Sequence, residues 1–358
     1  MRLRSLHLDS GRSWRGGQRQ VLLLAEGLRA RGDEPLVVGV PGAPLVERAH
    51  TAGLATAVAP MRNDWDLRSS NKIRALIRTW RPHIVHAHDA RSHAIALLAL
   101  RGSRRATRTT PLIVTRRVTF PPKSLRLKYG PRVTRFIAIS HAVKRAMVEA
   151  GIAEHRIDVV HSGVPTPAAT APRDWRQELG WPEDTVVVGI VGAMTAEKGV
   201  SLVGNIVSLL PDPIADRTRI VFLGGHTTGR ARLGRVEVFH AGFVSEIYDA
   251  MAGLDLLWHP ALEEGLGTAL IDSLALKVPP IAFSVGGIPE LVEHGKSGIL
   301  VPRGDLKAFA EAHISLLDRE LRAALAEAGP DRAKLFNVSK MTETTVQVYE
   351  KVLSLSLT

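Results

Sequence analysis

Not one cysteine occurs among the 358 residues. Disulfides and thiolate-ligated metals are thereby excluded, and a reducing cytoplasm is the expected compartment. Aromatic residues make up only 5% of the chain, too few to interleave with positive charge as binders of single-stranded nucleic acid require. No apolar run approaches the ~18 residues of a membrane span. The N-terminus MRLRSLHLDSGRSW has basic residues but no apolar stretch, so no leader peptide is read there. Internal repeats and low-complexity tracts are missing as well.

What is present is a hydrophobic content of 45% in a chain long enough for two domains of ~150 to 180 residues. The net charge of +12 is unevenly spread: residues 1–170 hold 29 Lys/Arg against 11 Asp/Glu, and the remainder hold 18 against 24. A basic half suits an anionic membrane surface, a phosphorylated acceptor or nucleic acid. Liberal arginine usage alone gives the same balance with no partner.

Short β-rich runs alternate with amphipathic stretches, as in a parallel sheet covered by helices. LRSLHLD reads as a first strand, followed by a helix that places Val21, Leu24, Ala25 and Leu28 on one face and closes at Gly32. PLVVGV, TAVAPM, PHIVHAH, PLIVTRR, RFIAIS and IDVVHSGVP are further strand candidates, with helices around 43–53, 69–80, 92–101 and 141–150. PTPAATAPR is the best linker. The alternation then restarts with TVVVGIVGA, RIVFLGG, VEVFHAG, LDLLWHP, PPIAFS and SGILVP. Helices are expected near 199–210, 245–253, 267–276, 289–294 and 305–317, with a last one from Ser339 onward. The fold class is therefore α/β: two Rossmann-like, doubly wound domains (1–165 and 174–338) about a central cleft, a linker at 166–173, and a terminal helix at 339–358. Ligands of such sheets sit at the carboxyl ends of the strands, so the loops after strands are where chemistry is expected.

After the first strand, Gly16 and Gly17 stand just before a helix, where backbone can approach an anion; a plain turn is the alternative. No G-x-G-x-x-G is present, which argues against a nicotinamide or flavin dinucleotide. His86, His88, Asp89 and His93 crowd the end of PHIVHAH. One histidine contacting a substrate hydroxyl is favoured over a metal cluster, because no H-x-x-x-H helix with an acidic partner accompanies them; the alternative is a histidine serving only local hydrogen bonds. Arg116 and Arg117 follow another strand and suit phosphate or carboxylate. They open a basic segment, 115–132, that carries Phe120 and Tyr129 and suits anionic lipid or simply solvent. Lys198, after the first strand of the second half, offers a compact charge to a diphosphate.

EEGLGTALIDS (263–273) is the most informative stretch. The amides of Gly265, Leu266, Gly267 and Thr268 at a helix start suit phosphate oxygens, yet Glu264 and Asp272 repel anions. Carboxylates accept hydrogen bonds from vicinal diols, so a nucleotide sugar reconciles the two. The alternative makes Glu264 a capping group and Asp272 a solvated helix residue.

EEGLGTALIDSLALKVPPIAFSVGGIPELVEHGKSGILV resembles the family 4 retaining glycosyltransferases, with their E-x7-E motif and following G-G-I-P-E loop. GGQRQVLLLAEGLRARG, VHAHDARSH, FIAISHAVKRAMVEAGIAEHRIDVVHSGV and VGAMTAEKG resemble further family segments in the same order, so the likeness covers nearly the whole chain. It implies a GT-B fold whose second domain binds the donor, whose first binds the acceptor, and whose last helix crosses back to the first. It implies that Glu264 contacts donor sugar hydroxyls, Asp272 the ribose, and Gly265 to Thr268 the diphosphate. Lys198 would pair with the diphosphate, Gly16–Gly17 approach it, His88 touch the transferred sugar, and Gly242, Phe243 and Val244 meet the base. Asp89, Arg116 and Arg117 are acceptor or phosphate candidates.

Three positions depart from the family pattern. Asp272 stands for its second glutamate, and Ala193 for an arginine five residues before the lysine, with Arg116 or Arg117 as the substitute. The stretch GGHTTGRARLGRVEVF is short for a helix usual there. The expected activity is metal-independent, retaining transfer from a nucleotide-diphosphate sugar to a glycan, with a lipid-linked or lipopolysaccharide acceptor at the inner face of a membrane. The weaker readings are a nucleotide-sugar-binding or epimerase-like protein without transfer, and a basic nucleic-acid-binding protein.

Overall fold

A computed structural model of the chain describes residues 2–101, 110–120, 128–166 and 171–355. Two compact units result, one formed by Met1–Gly163 with Val338–Thr358 and the other by Val164–Asn337. Part of the linker read from the sequence (167–170) and the middle of the basic segment (121–127) lie outside the described residues.

The first unit is built on β1 (Arg4–Leu8), β2 (Glu34–Gly39), β3 (Ala55–Val58), β4 (Ile84–Ala87), β5 (Leu112–Arg116), β6 (Arg135–Ala138) and β7 (Ile157–Val159). They form a parallel sheet in the order β3-β2-β1-β4-β5-β6-β7. Strands such as IVHA and LIVTR are buried along their whole length, because helices cover both faces of a parallel sheet. The first helix, Gly16–Ala30, and the last, Val338–Leu355, share a core in which Leu24, Leu28, Ile84 and Ile113 meet Met341, Val348, Tyr349 and Val352. These two helices pack closely at Gly27, where a Cβ would fall onto the Thr342 side chain.

The second unit repeats the plan with β8 (Val186–Val191), β9 (Thr218–Leu223), β10 (Thr228–Leu233), β11 (Val236–Gly242), β12 (Leu256–His259), β13 (Pro280–Phe283) and β14 (Ile299–Val301). The order is β10-β11-β9-β8-β12-β13-β14, parallel except for the antiparallel β10–β11 pair. In both units the strand order reverses beside the first strand, between β1 and β4 and between β8 and β12. A crevice opens at such a switch point outside the carboxyl ends of the strands.

Besides the short helices Trp175–Leu179 and Asp212–Arg217, which the sequence reading left out, three features differ from it. Gly16 and Gly17 form the first helical turn instead of the loop before it. The short stretch after β9 is a hairpin whose outer strand, TGRARL, is almost wholly exposed. It has no alternating apolar face, so only its pairing with β11 reveals it as a strand. The 15-residue helix Arg319–Ala333 was not anticipated, since Pro330 sits inside it and its apolar stripe is weak. Its Gly329 lies against the backbone of Leu274, so tertiary packing supports a helix that its own sequence does little to announce.

Candidate functional site

In the second unit, the chain leaves β8 through Gly192 and a short 3-10 turn, Ala196–Lys198, that ends in the left-handed Gly199 (φ 70°). Only glycine fits at 199, because a Cβ would fall onto the carbonyl oxygen of Pro260 in the loop after β12. That close approach, with the bond from Leu262 N–H to Glu197 O (3.0 Å), locks the two switch-point loops together. It carries Lys198 to Glu264, and the two side chains form an ion pair.

Glu264 is nearly buried, at 12% side-chain exposure. One carboxylate oxygen receives Lys198 and lies 3.1 Å from His259 Nε2; the other accepts the Gly265 N–H at 3.1 Å. Burial pushes this carboxyl up. The hydrogen bond from His259 and the charge on Lys198 outweigh burial and hold it at about 2. A carboxylate therefore remains charged here at any physiological pH.

The helix Thr268–Ala275 starts immediately beyond, from the left-handed Gly267 (φ 96°), and no side chain caps it. Its first amides are thus left without a capping side chain at the positive end of the helix dipole. Gly265, Leu266 and Gly267 are buried and Thr268 is half-buried. The Leu266 side chain belongs to the core (1% exposed), which leaves only its backbone for a ligand. Asp272 is buried one turn into the helix, so a solvated surface role is excluded. At the end of β11, Gly242 takes a left-handed conformation (φ 65°), Val244 is half-buried, and Phe243 presents its ring to solvent with 64% exposure.

In the first unit, Asp9 follows β1, and His88 and Asp89 follow β4. Asp89 caps the helix Ala90–Leu100 through the amides of Arg91 and Ser92, and also accepts both the N–H and the hydroxyl of Ser10, at 2.7 and 2.6 Å. Asp9 accepts the Gly11 N–H and the Gln18 amide. Desolvation and the nearby Asp89 charge raise the Asp9 carboxyl.

Both acids act on Arg117, whose Nε is enclosed with no hydrogen-bond partner among the described residues. Burial lowers its guanidinium to about 10, with Asp9 and Asp89 working in the opposite direction. The Nε of Arg116 is likewise enclosed with no partner among the described residues, while its terminal nitrogens are bonded within the unit. They donate to the Tyr129 hydroxyl (2.9 Å) and the Phe120 carbonyl. A Cβ at Gly17 would lie 3.8 Å from the Arg117 side chain.

The three histidines His7 on β1, His86 on β4 and His88 just after it come together, with ring nitrogens within 4.8 Å. His86 bonds Tyr349 OH (2.6 Å) and Thr115 Oγ1 (2.7 Å). His7 bonds Ser5 Oγ (2.9 Å) and His88 Nε2 (3.0 Å). His93 lies apart, edge-on to Tyr129.

Sequence reasoning missed Asp9, Ser10, Gln18, His7 and His259. The signal for His259 was a polar residue closing the apolar strand LLWH, five positions before Glu264; that for His7 was its alternation with Ser5 along β1.

The family profile "Glycosyl transferases group 1" matches residues 172–332, and "Glycosyltransferase Family 4" matches residues 14–167. The chain is 26% identical over 360 residues to the phosphatidyl-myo-inositol mannosyltransferase of Mycobacterium leprae, covering 94% of this chain and 93% of that one. It is 27% identical over 377 residues to the 2-deoxystreptamine N-acetyl-D-glucosaminyltransferase of Streptomyces fradiae, covering 88% and 86%. Anabaena Alr3699/HepE in complex with UDP-glucose superposes with a TM-score of 0.84 at 20% identity, over 98% of this chain and 100% of that chain. At that identity the likeness is one of fold.

Proposed function

Since the chain belongs to the family 4 glycosyltransferases and has their GT-B fold, we propose that it is a retaining enzyme whose donor is a nucleotide-diphosphate sugar held by the second unit. The observation that carries this reading is the Lys198–Glu264–His259 cluster at the uncapped start of the helix Thr268–Ala275. The amides of Gly267 and Thr268 and the Lys198 ammonium stabilise the diphosphate as it departs. Glu264, held charged, accepts hydrogen bonds from sugar hydroxyls, and Asp272 does the same for the ribose. Phe243, exposed beside a glycine-turned backbone, offers its ring to the base. His88 contacts the transferred sugar. The acceptor attacks on the leaving-group side and gives its proton to the departing phosphate, which retains the anomeric configuration.

The acceptor belongs to the first unit, where Asp9, Asp89 and Arg117 stand at the switch point. We assign it to the membrane-linked glycans or glycolipids. Trp65 (66%) and Phe120 (52%) are exposed on loops at the carboxyl edge of the same sheet, and Leu67 (66%) on the first turn of the helix Leu67–Trp80. Lys128 links these loops through its ion pair with Asp64, and Tyr129 binds the arginine that holds Phe120. Arg62 and Arg68 flank Trp65. Aromatic side chains among basic residues are suited to an anionic lipid surface. Among the described residues no helix is long and apolar enough to cross a membrane.

A thermal-shift screen with UDP-, GDP-, ADP- and CDP-sugars tests the donor reading, because a ligand of the native state raises the melting temperature. UDP-glucose is the first to try, in view of the Anabaena structure. Stabilisation by one sugar nucleotide that disappears in Glu264→Ala supports the reading; a screen with no shift overturns it.

A further inference from the structure

An ionised carboxylate offers about four lone-pair positions and no hydrogen to donate. At Glu264 the protein itself fills three of them. Oε2 receives the Lys198 ammonium and lies 3.1 Å from His259 Nε2, and Oε1 accepts the Gly265 N–H at 3.1 Å. Because this carboxyl is held at about 2, its oxygen can only accept, so His259 Nε2 carries the hydrogen of that bond. A single position is left. Two neighbouring sugar hydroxyls that both donate to Glu264 need one more, so one of the three protein donors has to leave.

The three are not equally free to go. The Gly265 amide is main chain, and the adjoining Glu264 carbonyl is held by the Gly287 N–H (3.3 Å). His259 closes the buried strand Leu256–His259, and its side chain is 6% exposed. Lys198 is 32% exposed, on a flexible four-carbon stem. Its neighbour Glu197 is tied to Leu262 through the main chain, so the ammonium can swing while the turn stays fixed. The destination is close. A Cβ at Gly267 would lie 3.4 Å from the Glu264 Cγ, which sets the stem of the carboxylate beside the helix start whose amides suit a diphosphate.

We propose that binding of the intact donor exchanges partners at Glu264: Lys198 moves from the carboxylate to the diphosphate, sugar hydroxyls take the vacated and the remaining positions, and His259 stays as the positioning residue that holds the carboxylate throughout. The inference rests on the reading that Glu264 receives the sugar and Lys198 the diphosphate. Neither charge is stranded by the move, since phosphate replaces one partner and hydroxyls the other. A nucleoside diphosphate alone brings no sugar hydroxyl to Glu264, so only the sugar nucleotide forces the exchange.

The tests use whichever of UDP-, GDP-, ADP- and CDP-glucose binds tightest, with its nucleoside diphosphate. Crystals of the wild type are expected to show Lys198 Nζ on Glu264 in the free protein and on a phosphate oxygen in the sugar-nucleotide complex, with His259 on Glu264 in both. Lys198 on Glu264 in both states overturns the exchange. In solution, Lys198→Met, Glu264→Gln and the double variant form a cycle of dissociation constants for the sugar nucleotide. Either single variant already lacks the ion pair that wild type must break, so multiplying the single losses counts that saving twice. The double variant is therefore expected to bind about tenfold more weakly than the product predicts. Losses that simply multiply overturn the exchange.

His259→Phe is expected to weaken the sugar nucleotide about tenfold and the nucleoside diphosphate less than about twofold. His259→Gln, whose side-chain amide keeps an N–H near the place of Nε2, recovers the affinity to within about threefold of wild type. A His259→Phe that weakens both ligands alike, or a His259→Gln as weak as His259→Phe, overturns the positioning role. Should His259→Phe fail to fold, the crystal of the complex decides: a Glu264 parted from His259 refutes that role. A protein that binds none of the four sugar nucleotides overturns the donor reading itself, and the exchange with it.

Discussion

At Glu264 two effects oppose each other and one prevails. Its burial favours the neutral acid, yet His259, Lys198 and the Gly265 amide surround the carboxylate with donors, and the net result lies far below the ordinary glutamate value of 4.5. A depressed carboxyl stabilises the fold fully above the unfolded-state value and loses that contribution as the pH falls toward the folded-state value. The window here runs from about 4.5 down to about 2, and the stake is on the order of 3 kcal/mol. Urea unfolding at pH 7 and pH 3 is expected to show a larger drop for wild type than for Glu264→Gln. At pH 7 the same variant is expected to slow transfer about a hundredfold, measured by release of nucleotide, because an amide no longer pairs with Lys198 or accepts two hydroxyl protons. The sequence made Glu264 and Lys198 legible, since their loops follow strands. It did not show that they touch each other, because contact across 66 positions depends on the packing of two loops.

At the scale of elements, the decisive contact is between the turn ending in Gly199 and the loop carrying Pro260. Gly199→Ala adds a methyl group where a carbonyl oxygen lies and demands a left-handed backbone of an alanine. We expect a loss of about 2 to 4 kcal/mol in chemical denaturation and weaker donor binding, because Lys198 is displaced with the turn. The terminal helix is a second case. Tyr349 is fully buried and bonds His86, so Tyr349→Phe leaves a buried nitrogen short of its partner and is expected to cost about 1 to 3 kcal/mol in the same assay. The strong periodicity of the first and last helices made both readable. The hairpin strand Thr228–Leu233 and the helix Arg319–Ala333 were not, because exposed polar strands and weakly striped helices take their form from neighbours.

For the whole molecule, charge follows the division into units. The first unit, including the terminal helix, holds 31 Lys/Arg against 13 Asp/Glu; the second holds 16 against 22. A surface of that sign, with Trp65, Leu67 and Phe120 exposed, is expected to bind vesicles rich in phosphatidylglycerol and to ignore phosphatidylcholine. Co-sedimentation should fall as salt is raised from 50 to about 500 mM, and the pair Trp65→Ser and Phe120→Ser should weaken it by about tenfold or more through lost insertion. Binding unaffected by salt and by both substitutions would remove the membrane from the functional reading.

The sequence by itself determined the α/β alternation, the two-part plan, the family and the loops that hold Glu264, Lys198 and His88. Each of these depends on local periodicity or on spacing along the chain. Only the tertiary structure decided which of those residues meet. It seated Lys198 and His259 on one carboxylate, spent Arg116 on Tyr129 while setting Arg117 among acids, and stacked His7 against His88. Strands adjacent in a parallel sheet are distant in sequence, and no local pattern records which side chains their register brings face to face.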